Sequence, residues 1–215
     1  MNFYPWTLFL YGSYNRCGEH YIANGLNEKR LMKQLEEIDE LNDRYDNFKI
    51  YKGSEVDILP DGNLDFDNEI LKELDYVVAS VHSVLKMNQE TAEKRLIRAI
   101  ENPYVTILGH MTGRLLLMRE GYPISPEKII DACVANKVVI ELNANPRRLD
   151  IDWRHLYYAM ERNALIAINP DAHEIGGIDD MKYGVYVARK AGVPVENVLN
   201  TFVRLSIEKI FAEKH

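Results

Sequence analysis

The sequence predicts an α/β protein built on a mainly parallel sheet, and three observations support this class. Apolar, β-branched segments alternate with amphipathic helical segments along the chain. Helix-start signals precede several of the helical segments. Polar side chains of the metal-ligand types follow the ends of the strand-like segments. Repeated βα units build a parallel sheet, because each helix returns the chain to the end of the sheet where the next strand begins.

Five segments have strand character, being apolar and rich in β-branched residues. They cover residues 48–59, 76–82, 105–110, 138–145 and 165–169. Helical periodicity occupies the intervals at 27–45, 88–102, 125–137, 150–163 and 179–192. The first helix carries one apolar stripe, formed by Leu31, Leu35, Ile38 and Leu41. No linker, repeat or low-complexity stretch divides the chain, which predicts one domain over residues 1–215.

Local capping signals define several of the predicted helix ends. Asn88 or Thr91 can cap the helix over 88–102. Ser125 precedes Pro126, and proline is favoured in the first turn because its missing N–H would have no partner there. Gly192 is a C-terminal cap for the last predicted helix.

The position of the polar residues separates two architectures that share this alternation, an open doubly wound sheet and a closed barrel. Glu55 lies within its strand, and six further residues lie at or just past the ends of four other strands. These are His82, His110, Asn143 with Asn145, and Asp171 with His173. A barrel gathers all strand ends around one mouth, whereas an open sheet spreads them along a line. The sequence therefore favours a TIM-like barrel.

Composition and net charge argue against several functional classes. The 215 residues carry 47% hydrophobic and 27% charged residues, with a net charge of −7. This negative charge argues against strong non-specific binding of nucleic acid. No apolar run is long enough to span a bilayer, and the N-terminus lacks a signal-peptide pattern. Cys17 and Cys133 stand far apart, and a cytoplasmic location without membrane association is expected.

A metal site is the functional hypothesis that follows from the strand-end residues. Glu55, His82, His110, Asp171 and His173 carry the donors that zinc and manganese accept. Asp171 and His173 share a face, since side chains at i and i+2 of an extended chain point the same way. A single histidine at a strand end is most often a capping or solvated side chain, but three of the six histidines stand at the ends of three strands and acids accompany them, which favours a site. His155 and His215 are expected to have no role.

Five ordered motifs carry a resemblance to a known family. They are "GSEVDILPDG", "VVASVHS", "ILGHMTGRLL", "ELNANPRRLDIDW" and "INPDAHE". The chain resembles the polymerase-and-histidinol-phosphatase (PHP) domain, and most closely the C-terminal PHP domain of bacterial family X DNA polymerases. The resemblance begins at about Ala23, so residues 1–22 are divergent. It implies a distorted (β/α)7 barrel that holds up to three divalent metals and hydrolyses phosphoesters.

The resemblance also implies roles for individual residues. Glu55 resembles a carboxylate that bridges two metals, and His82 and His110 look like further ligands of one of them. Asp171 resembles a ligand of the metal that Glu55 shares, and His173 a ligand of the third. Glu55 and Asp171 are thereby the expected catalytic carboxylates. The cofactor would be Zn or Mn, with Fe also compatible, and the substrate a nucleic-acid end or a small phosphomonoester.

The N-terminal part departs from the family. The chain contains no H-x-H motif, and the family's T-D-H position falls on residues 14–17, which include no histidine. The first βα unit is therefore expected to be missing or replaced. A lost strand leaves an open edge, which favours pairing with another segment. Residues 6–12 are predicted to insert beside the 48–59 strand, or a second copy to cover the gap in a homo-oligomer.

Three arginines are candidates for phosphate binding, since a guanidinium grips phosphate through two parallel hydrogen bonds. They are Arg114, Arg147 and Arg148, and the alternative for each is an ion pair with Asp150 or Asp152. The leading hypothesis is a metal-dependent phosphoesterase acting as a phosphatase or 3′–5′ exonuclease. The alternative is a weak or inactive PHP remnant, such as a truncated polymerase gene would encode, that binds one metal or a phosphate-bearing ligand. An unrelated barrel enzyme such as an isomerase explains none of the motifs.

Overall fold

The computed structural model describes residues 12–13, 27–45 and 48–214. Five parallel strands, β2 to β6, form a sheet in chain order, and the two-residue β1 extends it beside β2. The strands are β1 Gly12–Ser13, β2 Gly53–Asp57, β3 Tyr76–Ser80, β4 Ile107–Leu108, β5 Val139–Asn143 and β6 Ile166–Asn169. The α/β class is confirmed, and each predicted segment contains a strand. Doubly wound sheets reverse their strand order, and this order has no reversal, which agrees with a barrel. Closure into the distorted (β/α)7 barrel stays a prediction.

Seven α-helices lie in the described ranges. They are α1 Glu28–Asn42, α2 Asn68–Leu71, α3 Gln89–Ile100, α4 Pro126–Ala135, α5 Trp153–Glu161, α6 Met181–Lys190 and α7 Arg204–Ala212. The predicted caps are confirmed at Asn88, whose side chain accepts from the backbone N–H of Thr91 at 2.8 Å, and at Ser125. Gly192 follows α6 with a φ of +67°, the left-handed conformation that glycine adopts without steric cost. None of these helices has the length and apolarity needed to cross a bilayer.

The two faces of the sheet have different surroundings. The larger core packs one face against helices, and it includes Leu31 and Leu35 of α1. A smaller cluster on the other face consists of Tyr76, Val78, Ile107, Val139, Ala167, Leu199, Ile207 and Phe211. Phe211 of α7 stacks on Tyr76 with 5.2 Å between ring centroids, so α7 covers the amino end of this face. The carboxyl end of the same face is left for polar side chains.

The polar layer follows from the alternation of side chains along each strand. Glu55 and Asp57 share one face of β2, and Glu141 and Asn143 follow Val139 on one face of β5. All four polar side chains are buried. Burying charged and amide groups costs free energy unless they are paired, so this layer requires internal partners or a ligand.

The β2 edge of the sheet is where the N-terminal strand was predicted to pair, and the opposite edge is formed by β6. Gly12 and Ser13 pair with Ser54 and Glu55 of β2. This agrees with the prediction at Gly12, while residues 6–11 lie outside the described residues and their insertion stays a prediction. At the other edge, the side-chain amide of Asn200 accepts from the N–H of Ile168 at 2.7 Å and donates to its carbonyl at 2.9 Å. Asn200 thus satisfies backbone groups that an unpaired edge would leave open.

Candidate metal centre

Glu55, His82 and His110 converge on one point at the carboxyl end of the sheet. Oε1 of Glu55 lies 3.4 Å from Nε2 of His82 and 3.3 Å from Nε2 of His110. The two imidazole nitrogens are 3.2 Å apart. These three side chains form the group of described residues whose donor atoms could hold one ion.

Sheet register brings the three side chains together. Glu55 lies in β2, while His82 and His110 each follow by two residues the last residue of a neighbouring strand, β3 and β4. Because β2, β3 and β4 are adjacent and parallel, their carboxyl ends share one edge. The convergence expected from strand-end position is therefore observed.

The donor geometry fits a divalent ion. Two ligand atoms about 2.0–2.1 Å from a tetrahedral zinc ion are about 3.3–3.4 Å apart. The three observed separations, 3.2, 3.3 and 3.4 Å, match one face of such a tetrahedron. In the described part of the chain, Oε1 of Glu55 and Nδ1 of His110 are buried and make no hydrogen bond. A buried carboxylate oxygen without a donor is unfavourable, and an ion at this point would satisfy it.

Asp57 contacts the ring nitrogen of His82 that faces away from Glu55. Nδ1 of His82 contacts Oδ1 of Asp57, and Nε2 faces Glu55. Metal-ligating histidines commonly bond a carboxylate through their second nitrogen, which fixes the ring orientation. Sequence reasoning missed Asp57, although its i+2 spacing from Glu55 was the available signal.

Glu55 and His82 shift each other's pKa. Burial alone would raise the pKa of Glu55, but the charge of His82 and contacts from both imidazoles hold that pKa well below its usual range. Burial would lower the pKa of His82, but the Glu55 charge and the Asp57 hydrogen bond raise it to about 10. The charged His82 thus keeps the Glu55 carboxylate ionised, and a bound ion would replace the proton on His82, because metal ligands must be deprotonated.

The other two predicted ligands lie apart from this group. Oδ2 of Asp171 accepts hydrogen bonds from Nε of Arg148 and Nδ2 of Asn143, both at 3.2 Å. The side chain of His173 is 59% exposed, and its Nδ1 donates to the carbonyl of Asp171 at 2.9 Å. Among the described residues, neither joins the three-residue group. Their metal-binding roles stay predictions.

A buried polar network connects Asp171 to His110. Nδ2 of Asn143 lies 3.2 Å from both Asp171 and Oε2 of Glu141, and the same Glu141 oxygen accepts from the backbone N–H of His110 at 2.6 Å. Asn169 donates to the other Glu141 oxygen at 2.8 Å. Burial raises the pKa of Glu141 despite the opposing charge of His110. Glu141 therefore holds the backbone at His110, a role that sequence reasoning did not identify.

The three predicted phosphate-binding arginines have different environments. Arg114 donates to the carbonyls of Arg148 and Leu149 and to Oδ2 of Asp152 at 2.7 Å. Its guanidinium therefore joins the loop after β4 to the segment between β5 and α5. Arg148 bonds Asp171 through Nε, and its Nη1 is buried without a hydrogen-bond partner. Arg147 is exposed. Of the three, Arg148 has an unused donor next to a predicted site residue, while phosphate binding by any of them stays a prediction.

The fold and this geometry define a parallel α/β protein with a candidate metal centre at the carboxyl edge of its sheet. The chain is 47% identical over 179 residues to the DNA polymerase/3′-5′ exonuclease PolX of Bacillus subtilis (strain 168); the match covers 83% of the chain and 31% of that protein. It is 34% identical over 173 residues to a probable phosphatase of Thermoanaerobacter sp. (strain X514), covering 76% of the chain and 68% of that protein. A probable phosphatase of Clostridium acetobutylicum is 38% identical over 177 residues, with the same two shares. No family model matches the chain.

These similarities show the family. The chain belongs to the family of these probable phosphatases, and it is also similar to about a third of the B. subtilis polymerase. The resemblance inferred from the five motifs thus agrees with measured similarity to both kinds of protein.

Proposed function

We propose that the chain is a metal-dependent phosphoesterase with a PHP-type domain. The observation that carries the proposal is the convergence of one carboxylate and two imidazoles with separations of 3.2–3.4 Å. The names of the similar proteins, a 3′-5′ exonuclease and probable phosphatases, support phosphoester hydrolysis as the reaction class.

Glu55, His82 and His110 would hold the ion, with Zn, Mn or Fe compatible with these donors. When bound, a divalent ion supplies an activated water at neutral pH and positive charge against phosphate oxygens. Asp57 keeps the His82 ring oriented, and Glu141 keeps the His110 backbone in place. Asp171, which the motif resemblance assigns to a further ion, is paired with Arg148, so the described residues favour one tightly bound ion.

Metal dependence is the direct test of this function. The purified 215-residue chain should hydrolyse a chromogenic phosphomonoester or phosphodiester when Zn²⁺ or Mn²⁺ is present, and chelation should remove the activity until metal is restored. Elemental analysis of protein prepared without chelator should find about one ion per chain. A fully loaded protein that hydrolyses neither substrate would refute the enzyme proposal and favour the alternative, a remnant that only binds an ion or a phosphate group.

Arg148 is the proposed phosphate-binding side chain. Asp171 holds its Nε, while Nη1 is buried without a hydrogen-bond partner, so a phosphate oxygen that displaces the groups covering Nη1 would satisfy this donor. Replacing Arg148 with glutamine removes this charge, and charge-assisted hydrogen bonds contribute about 1.5–3 kcal/mol, so KM should rise by about tenfold or more. The measurement is KM and kcat for the same phosphoester, with the exposed Arg147→Gln as control. Equal effects of the two substitutions would contradict a specific role for Arg148.

A further inference from the structure

Asn143, the last residue of β5, places one side-chain amide between two buried carboxylates. Its Nδ2 lies 3.2 Å from Oε2 of Glu141 and 3.2 Å from Oδ2 of Asp171. Asn143 and Glu141 are fully buried, and the side chain of Asp171 is 8% exposed. An amide nitrogen carries two hydrogens, so Nδ2 can donate one to each carboxylate. Like charges repel at short range, and the shared amide offsets part of this repulsion.

A third contact fixes the orientation of this amide. Oδ1 of Asn143 accepts from the backbone N–H of Asn145 at 3.1 Å. A flipped amide would set its nitrogen against that N–H and its oxygen against the two carboxylates, which is unfavourable at all three contacts. The side chain therefore keeps one orientation, with its two donors directed at Glu141 and Asp171.

Both partners of the Arg148–Asp171 ion pair depend on Asn143. Nε of Arg148 donates to Oδ2 of Asp171, which is the oxygen that Asn143 also contacts. Asn145, whose N–H Asn143 holds, begins the turn that carries Arg148, because its carbonyl accepts from the N–H of Arg148 at 2.8 Å. Asn143 thus fixes both the carboxylate that binds the guanidinium and the turn from which the guanidinium extends.

Glu141 connects the same amide to the candidate metal centre. Its Oε2 accepts from the backbone N–H of His110 at 2.6 Å, and Asn169 donates to its Oε1 at 2.8 Å. These two hydrogen bonds do not involve Asn143, so His110 keeps its support when the Asn143 amide is removed. Asn143 therefore joins Arg148 to the ligand His110 through one carboxylate on each side.

We infer that Asn143 is a positioning residue that sets the place of the Arg148 guanidinium relative to the ion held by Glu55, His82 and His110. The inference rests on the proposed function, in which Arg148 binds the phosphate of the substrate. A phosphate that contacts both an ion and an arginine needs the two at a fixed separation, and a small misplacement of such groups can cost about 100-fold in rate. Asn143 acts on the phosphate through Arg148 and does not itself bind it.

A double-mutant cycle between Asn143→Leu and Arg148→Gln tests this inference. Leucine has the same number and branching of side-chain heavy atoms as asparagine, but none of them is polar. The probe is inorganic phosphate, and its Kd for the metal-loaded chain is measured by isothermal titration calorimetry, so no turnover is needed. Asn200→Leu is the matched control, because Asn200 is also fully buried and its amide bonds the backbone of Ile168 at the β6 edge. Tm and bound metal per chain are measured for every variant.

We expect Asn143→Leu to weaken phosphate binding by about tenfold and to leave the bound metal per chain at the wild-type level. In the Arg148→Gln background it should add no more than about a twofold loss, since the two substitutions then remove the same interaction with phosphate. Asn200→Leu should lower Tm and leave the Kd of phosphate unchanged.

Fully additive losses in the double variant, or an unchanged Kd in Asn143→Leu, would overturn the inference, as would a metal-loaded wild type that binds no phosphate. An equal loss of phosphate affinity in Asn200→Leu would also contradict it, because the effect would then follow from stability alone. If Asn143→Leu does not fold, Asn143→Ser carries the same cycle, since a hydroxyl has one hydrogen and cannot bond both carboxylates. If the wild type binds phosphate but hydrolyses nothing, the proposed function fails, while the cycle still decides the role of Asn143.

Discussion

Replacing His110 with alanine is expected to abolish both tight metal binding and phosphoester hydrolysis. Nε2 of His110 lies 3.2 Å from His82 and 3.3 Å from Glu55, so its loss leaves two of the three converging ligands. Changes to residues that only support a ligand typically cost 10–100-fold in metal affinity or activity. Loss of the ligand itself should cost more than about 100-fold. The measurements are bound metal per chain and the initial rate at saturating Zn²⁺ or Mn²⁺.

His155→Ala is the control for this experiment. His155 lies on α5, outside the group of converging donors. It should keep the wild-type metal content and rate. A comparable loss of activity in both variants, together with a lowered melting temperature, would indicate general destabilisation and contradict the assignment of the site.

The sequence predicted the elements well because local signals determine them. Asn88 and Ser125 cap helices through their own side chains, and the apolar, β-branched segment 138–145 predicts a strand, which is observed as β5. Histidines directly after two strands could be assigned to one mouth, because parallel strands end at the same edge of the sheet. These inferences need only the period of the pattern and the direction of the strands.

The remaining parts of the site depend on contacts between distant segments. Glu141 bonds the backbone of His110 across 31 positions, and Arg114 pairs with Asp152 across 38. No local period distinguishes these partners from others of the same charge. Helix α7 was missed for a related reason: its role is to cover the sheet face beneath the site, which Phe211 does by packing on Tyr76.

Arg95 is the clearest case of a residue whose importance only the tertiary structure shows. It lies on α3 and is 2% exposed. Nε donates to the carbonyl of Leu59 and Nη1 to that of Ser83, both at 2.9 Å, and Nη2 donates to the carbonyl of Ile58. One guanidinium thus joins the loop that follows β2, the strand of Glu55, to the loop that follows β3 and contains His82.

Replacing Arg95 with methionine should therefore destabilise the fold and the site together. The change keeps most of the side-chain volume but removes a donor from three backbone carbonyls. The carbonyl of Leu59 keeps the N–H of Gly62 as a donor at 2.8 Å, so the loss falls on Ile58 and Ser83, at about 1–3 kcal/mol for each unsatisfied group. We expect a loss of roughly 2 kcal/mol or more from a total stability of about 5–15 kcal/mol. In a domain of this size that lowers Tm by about 4–8 °C. Thermal unfolding and bound metal per folded chain are the measurements.

Arg98→Met separates this effect from the loss of any arginine on α3. Arg98 is exposed on the same helix, and its Nε donates to the side chain of Asn63 at 3.2 Å. Its substitution should change stability by no more than about 0.5 kcal/mol. Equal melting temperatures for the two variants would show that the carbonyls left by Arg95 find other donors. Ser83 directly follows His82, so the loss of its contact with Arg95 should also reduce bound metal. If Arg95→Met lowers Tm but keeps the full metal content below its unfolding transition, Arg95 stabilises the loops without holding His82 in place.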